Sequence, residues 1–375
     1  MNDRAVGPIP LIRLATVADV ARIAEANEHV RSAGYSDTGF IVLPLTADGV
    51  RDEIENGGVR YAVAEIAGDL VGFAKFSTRS LDGYQGIEWT GEPIELSGGV
   101  HIEKLAVLAT HRGRGIGIAL YLYLMHSHPG ALLYTYVIVS PCMNRASVAF
   151  HEHLGFSWHA LSPYETDNGS WMMERLYVLT NPTRLAEAAQ RSSGFLTPLT
   201  LDSSDFSHAL RLLQRELGAD YVTAEQFTDH AEGQDGSTAL VWVSGEQTIA
   251  GVAIACTAGK PETDAASRFG FEARDDVGCL QTFVVDDDYR RRGGGTALAQ
   301  QLLEDLRTRG HKQVLMFTWI SGRDDTADGI AEGLGFTHLG MLPEYWHEDS
   351  LEAGYECPIC GNPCRCSVNV WALEN

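Results

Sequence analysis

His101 and Glu103 stand two residues apart in the apolar run HIEKLAVL, and the chain then reads RGRGIG at Arg112–Gly117. On a strand, alternate residues share a face, so an imidazole and a carboxylate would point into one place. Either could take a proton from an ammonium group. The glycine turn that follows has a different chemistry. Glycines allow close backbone approach and positive φ, and a helix starting there offers free N–H groups and its positive dipole end to an anion. Arg112 and Arg114 add guanidinium donors suited to phosphate oxygens. The same R-x-x-G-x-G pattern returns in RRRGGG at Arg290–Gly295, 178 residues further on.

A third group lies near the end, in ECPICGNPCRCSV. Cys357, Cys360, Cys364 and Cys366 are four of seven cysteines, spaced C-x2-C-x3-C-x-C. Four thiolates at such spacing suit tetrahedral zinc, Zn(2+), and a cytosolic chain disfavours disulfides. The C-x-C half is tight, so His347 is a possible replacement for one thiolate. A site with four protein ligands is closed, which points to a structural role, the other reading being a thiol cluster without metal.

Other landmarks recur at nearly the same offset as the glycine turns. Val71-Gly72 matches Ala250-Gly251, Gly155-Phe156 matches Gly335-Phe336, and Pro163 matches Pro343. A period near 180 residues is too long for a solenoid, so each copy is expected to be a domain. The first, residues 1–180, reads β-α-α-β-β-β-α-β-α-β-β. Thr16 with Asp19 marks a helix start, and Gly68-Asp69 a tight turn between two strands. Residues 78–98 read as irregular. Residues 181–194 form a linker with a possible short helix, and residues 195–375 repeat the order. Glu262–Ser267 and Asp286–Asp288 read as solvated loop charges. The fold class is α/β, two tandem domains, each a mixed sheet flanked by helices.

Length and composition agree with two soluble domains, and no segment approaches eighteen unbroken apolar residues. The N-terminus lacks a basic stretch followed by an apolar core, so a cytoplasmic location is expected. The formal charge of −22 opposes binding to nucleic acid or anionic membranes. Only four lysines occur, Lys75, Lys104, Lys260 and Lys312, so arginine supplies nearly all the positive charge.

An L-x-V strand, then R-G-x-G-x-G, an amphipathic helix, and N-x-x-[AS]-x-x-x-[aromatic]-x-x-x-G-F together resemble the GNAT superfamily of CoA-dependent N-acyltransferases. The resemblance covers almost the whole chain twice, and the tandem layout resembles acyltransferases of the mycothiol synthase type. It implies a centrally splayed sheet in each domain and a CoA thioester donor, most simply acetyl-CoA. It implies that Arg112, Gly113, Arg114, Gly115, Ile116 and Gly117 hold pyrophosphate, with Asn144 beside them. The splayed strand would be Leu105–Leu108, with the Val107 N–H polarising the acyl carbonyl. In the second repeat Phe283–Asp286, Val285, Arg290, Gly293 and Gly295 take these places.

The family often places its general base at the His101 and Glu103 positions. Glu103 is a base or the partner of a nearby cation, and His101 a base or a loop-edge residue. His151 falls where the resemblance expects a tyrosine acid near the CoA sulfur, and is an acid or a surface histidine. Tyr164 is a further acceptor-side residue. The second repeat has Cys279, Gln281, Asp324 and Ala331 at the His101, Glu103, Asn144 and His151 positions. Gln and Ala exchange no proton near neutral pH. Catalysis is therefore expected in the first domain, the inverse of mycothiol synthase. The expected activity is N-acyl transfer to a small-molecule amine in a ternary complex. Alternatives on the same fold are an aminoacyl transferase with a carrier- or tRNA-bound donor, and a non-catalytic CoA-binding scaffold. Oligomeric state is not legible.

Overall fold

The computed structural model describes residues 8–34, 39–41, 43–78, 86–165, 169–190, 192–201, 204–274, 276–320 and 327–374. The chain forms two compact units, residues 1–195 with 245–247, and residues 196–244 with 248–375.

The first unit contains β1 (Leu11–Leu14), α1 (Val20–Ser32), α2 (Ala47–Asn56), β2 (Arg60–Ile66), β3 (Asp69–Ser77), β4 (Glu88–Trp89) and β5 (Val100–Val107). Then come α3 (Ile116–Ser127), β6 (Leu133–Ser140), α4 (Arg145–His153), β7 (Phe156–Glu165), β8 (Trp171–Leu179) and α5 (Pro182–Gln190). Its strands lie in the order β1-β2-β3-β5-β6-β8-β7-β4. Neighbours are antiparallel except β5 and β6, which run parallel. The β2–β3 turn uses Ala67 and Gly68, both at positive φ, one residue before the predicted pair. Helix α3 is apolar on nearly every side, which is why it is buried rather than surface-laid.

The second unit contains β9 (Phe195–Pro198), α6 (Ser204–Leu217), α7 (Ala224–Glu232), β10 (Thr238–Val243), β11 (Ile249–Thr257), α8 (Lys260–Ser267) and β12 (Val277–Val285). Then come α9 (Gly294–Thr308), β13 (Gln313–Ile320), α10 (Asp328–Gly333), β14 (Thr337–Leu342), α11 (His347–Ala353) and β15 (Ser367–Glu374). The order is β9-β10-β11-β12-β13-β15-β14, again with one parallel pair, β12 and β13. Two readings of loop charge change here. Glu262–Ser267 belongs to helix α8, whose Ala265 and Ala266 are buried against the sheet. Asp286 is not merely solvated: it caps a short turn and pairs with Arg215 at 2.8 Å.

Helix α9 packs its first turn directly on Trp242. A Cβ added at Gly294 would lie 2.1 Å from that ring, so the backbone or the indole must shift. Gly294→Ala is expected to destabilise the second domain by about 1–3 kcal/mol, read by urea unfolding.

Candidate active site

In the first domain β5 and β6 pair only from Val100 to Ile102, against Leu133–Thr135. Beyond that point they part, while β5 stays paired with β3 as far as Val107. The Thr135 hydroxyl donates to the Ile102 carbonyl at 2.7 Å, at the base of the fork. Leu108 donates its N–H to Val71 on β3. Backbone groups alternate along a strand, so the Val107 and Leu105 N–H groups point the other way, into the gap. The second domain repeats this. Strands β12 and β13 pair over Val277–Leu280, β12 runs on to Val285, and Asp286 donates to Ala250. Val285 and Phe283 therefore aim their N–H groups into the second gap.

The glycine turns close the end of each gap. Gly113 and Gly115 have φ of +73° and +84°, and in the second turn Arg291 and Gly293 have φ of 59° and +84°. Gly115 and Gly293 cap α3 and α9, whose first intrahelical bonds arrive at Ala119 and Ala297. The N–H groups of the preceding turn, at Ile116 and Gly117 and at Gly294 and Gly295, have no intrahelical partner. Backbone N–H groups and a helix dipole thus converge on the gap, which fits a pyrophosphate. The leading arginines also reach the strand ends. Arg112 Nε donates to the Val107 carbonyl at 3.0 Å, and Arg290 Nε to the Val285 carbonyl at 3.2 Å. Arg290 also pairs with Glu216 and Asp287. They brace the strand end, and Arg114 is exposed.

Asn144 has local partners. Its carbonyl accepts from the Ser147 N–H and its amide donates to the Phe40 carbonyl, so it caps α4 and ties down a loop. Its counterpart Asp324 lies outside the described residues. His151 is a core residue. One ring nitrogen lies 2.6 Å from the Ser147 carbonyl and the other 2.7 Å from the Tyr121 hydroxyl. Tyr121, Phe150, Phe156 and Tyr177 enclose the ring. Burial pushes it down to about 4. A histidine held neutral with both nitrogens engaged cannot serve as the acid for a departing thiolate, and it is not at the surface either.

His101 is buried too, stacked on Tyr134 at 5.0 Å and edge-on to Tyr136. Burial pushes it down to about 4, against the pull of Glu103. It is a poor base and lines the fork as a neutral ring. Glu103 occupies a β-bulge, the residue between Ile102 and Lys104 that has no partner on β3. It pairs with Lys75 at 3.2 Å, and Lys75 in turn meets Glu53 at 2.6 Å. Lys104 reaches Asn27 and the Leu43 carbonyl, and burial lowers it to about 8.

One residue was missed. Glu174 sits on β8 in the row Met172, Glu174, Leu176, Val178, level with Ile138 on β6 and Ser162 on β7. That row shares its face with Tyr134 and Tyr136, beside His101. No described residue gives the Glu174 carboxyl a hydrogen bond or counter-charge, and burial pushes it up to about 7. The signal was in WMMERLYVL, a single acid on the inward-facing alternation of a strand.

The second domain carries a cleft of about 700 Å³, running from the glycine turn past Gln281–Val285 and Met316–Trp319 to Tyr221, Trp346, Tyr355, Cys357 and Cys364. Gln281 is its bulge residue, as Glu103 is in the first. Cys279 is buried opposite Cys256, and a hydrogen bond to Cys256 together with burial holds its thiol well above the usual range. Ala331, at the His151 position, is buried in α10.

A mixed sheet forked at its one parallel pair, with a left-handed glycine turn starting a helix at the mouth of the fork, is the frame of an acyltransferase. The profile of the Acetyltransferase (GNAT) family matches residues 25–156 and again 206–336. The chain belongs to that family and carries its domain twice. A curated relative, the [ribosomal protein bS18]-alanine N-acetyltransferase of Salmonella typhimurium, is 34% identical over 83 residues. The match spans 20% of this chain and 53% of the relative, about half its length. Among solved structures, a putative acetyltransferase of Salmonella typhimurium with its cofactor acetyl-CoA is similar at 25% identity and a TM-score of 0.33. It covers 45% of this chain and 91% of its own. The ribosomal-protein-S18-alanine N-acetyltransferase of Escherichia coli is similar at 16% identity and a TM-score of 0.33, covering 46% and 93%. No described helix is long and apolar enough to cross a membrane.

Proposed function

We propose that this enzyme transfers an acyl group, acetyl foremost, from a CoA thioester directly to a primary amine, with the chemistry in the first domain. The observation that carries this reading is Glu174, a carboxyl near neutrality on the face where the sheet forks. Bound as its ammonium ion, an amine gives one proton to Glu174, and the freed nitrogen lone pair attacks the thioester carbonyl. The Val107 N–H stabilises the oxygen of the tetrahedral intermediate. The C–S bond then breaks, the proton held by the carboxyl passes to the departing thiolate, and the extra proton left on the amide nitrogen passes to the freed Glu174 carboxylate and on to solvent. Glu103, held by Lys75, orients the ammonium from the other side of the gap. The acceptor is a small-molecule amine. The alanine N-acetyltransferase relative favours a second reading, a protein's α-amine, and acetylation of amine and peptide panels separates the two.

In this reading the second domain holds a CoA-type ligand without turnover, and the four cysteines form a closed zinc site outside the transfer chemistry. Substitutions in the turns distinguish the domains. Gly117 and Gly295 are poor targets, because an added Cβ would crowd Phe150 at 3.0 Å and Ile330 at 3.1 Å. Arg114→Glu is cleaner, and is expected to raise the KM for acetyl-CoA by about tenfold or more, the scale of one charge-assisted contact. Arg292→Glu should leave kcat and KM within about twofold. Initial-rate measurements of thiol release check both, and the reverse pattern would move catalysis to the second domain.

A further inference from the structure

The segment Cys357–Cys366 lies between β14 and β15 with its sulfurs gathered. Cys357 and Cys366 are 3.8 Å apart, Cys360 and Cys364 3.8 Å, Cys360 and Cys366 3.6 Å, and all four lie within 4.8 Å of one another. Bonds of about 2.3 Å to one tetrahedral ion place sulfurs about 3.8 Å apart. A disulfide would need about 2.05 Å. The Arg365 N–H points at Cys360 Sγ from 3.1 Å, a bond that stabilises a thiolate. His347 is not part of the group.

The knuckle is also built into the wall of the second domain's cleft. Cys357 and Cys364 line that cleft, and Trp319 and Trp346, which line it too, pack on the cysteines. Cys364 donates its N–H to Ser350 Oγ at 2.8 Å, and Asn362 donates to the Ser350 and Tyr355 carbonyls. Tyr355 in turn meets Tyr221 edge-on at 5.4 Å across the same cleft. A Cβ at Gly218 would lie 2.4 Å from the Glu356 carbonyl, so the end of α6 is pressed against the knuckle.

We infer that a zinc ion bound by Cys357, Cys360, Cys364 and Cys366 holds the inner wall of this cleft in place, so that the shape of the cleft depends on the metal. The inference rests on the zinc reading above and adds the coupling. Without the ion, four thiols replace four bonds to one centre, and the ties through Ser350, Asn362 and Tyr355 pass that loosening to α11 and to the cleft.

Elemental analysis of the full chain should find about one zinc per chain. Hydrogen exchange is then compared between zinc-loaded wild type, chelator-stripped wild type and Cys360→Ser, a change at the one knuckle sulfur on an exposed residue. Stripping is expected to speed exchange at least tenfold across residues 345–368 and at the cleft strands Gln281–Val285 and Met316–Trp319. Strands β2 and β3 of the first domain should keep their protection and serve as the internal control. Should Cys360→Ser not fold, the stripped wild type carries the test alone. Zinc present, with faster exchange confined to residues 357–366, overturns the coupling and leaves the closed-site reading standing. A chain purified without zinc overturns both.

Discussion

Glu174→Gln is expected to lower kcat by about 10²–10⁴, the usual scale for losing a general base, with little change in KM for acetyl-CoA. A base works deprotonated, so wild-type kcat should fall as pH drops through about 7, and this acid limb should vanish in the variant. Stability supplies the control. The folded carboxyl lies above its ordinary range, so it stabilises the fold when protonated, and that contribution is lost as pH rises from the ordinary value of 4.5 through about 7. Glutamine keeps the shape without the buried charge, so at pH 8 the variant should melt no lower than wild type. A dead and equally stable Glu174→Gln enzyme is the result expected. Glu103→Gln should cost less, about tenfold, since it frees Lys75 to its other partner Glu53. If instead Glu103→Gln abolishes turnover and Glu174→Gln retains it, the base is Glu103.

Acid should weaken the first domain through two buried histidines, against one opposing gain from protonating Glu174. His101 and His151 are both pushed from 6.5 down to about 4 by burial. Between those values the unfolded chain binds a proton at each that the folded chain refuses. Their contribution is therefore present above pH 6.5 and is lost as pH falls toward 4, on the order of 3 kcal/mol each. The equivalent positions in the second domain are Cys279 and Ala331, which bring no such term. His151→Phe tests this with one substitution. At pH 8 it should destabilise the domain by about 1–3 kcal/mol, because the Tyr121 hydroxyl loses its partner. Toward pH 4 the gap between variant and wild type should shrink, as only wild type has a buried imidazole there to protonate. Urea unfolding from pH 8 to pH 4 measures both. Parallel curves at every pH would show that His151 does not resist protonation.

The sequence by itself determined whatever depends on a residue and its near neighbours. Positive φ at Gly113, Gly115 and Gly293 follows from the missing Cβ, so the turns were legible, and their repetition exposed the two domains. The cysteine spacing was legible as a gathered set of sulfurs. What the tertiary structure decided was every property set by a partner distant in sequence. The fork exists because β6 leaves β5 after Thr135, and no feature of HIEKLAVL records where its neighbour departs. The bulge at Glu103 depends on register with β3. His151 lies on a helix that mixes apolar and charged residues, and only the arrival of Tyr121, thirty positions earlier, makes it a core residue. Helix α8 took Glu262–Ser267 because the sheet offered apolar surface to its two alanines. Glu174 joins the two kinds of information. Alternation assigned its face, but its acidity depends on how little water reaches that face, and water access is a property of packing.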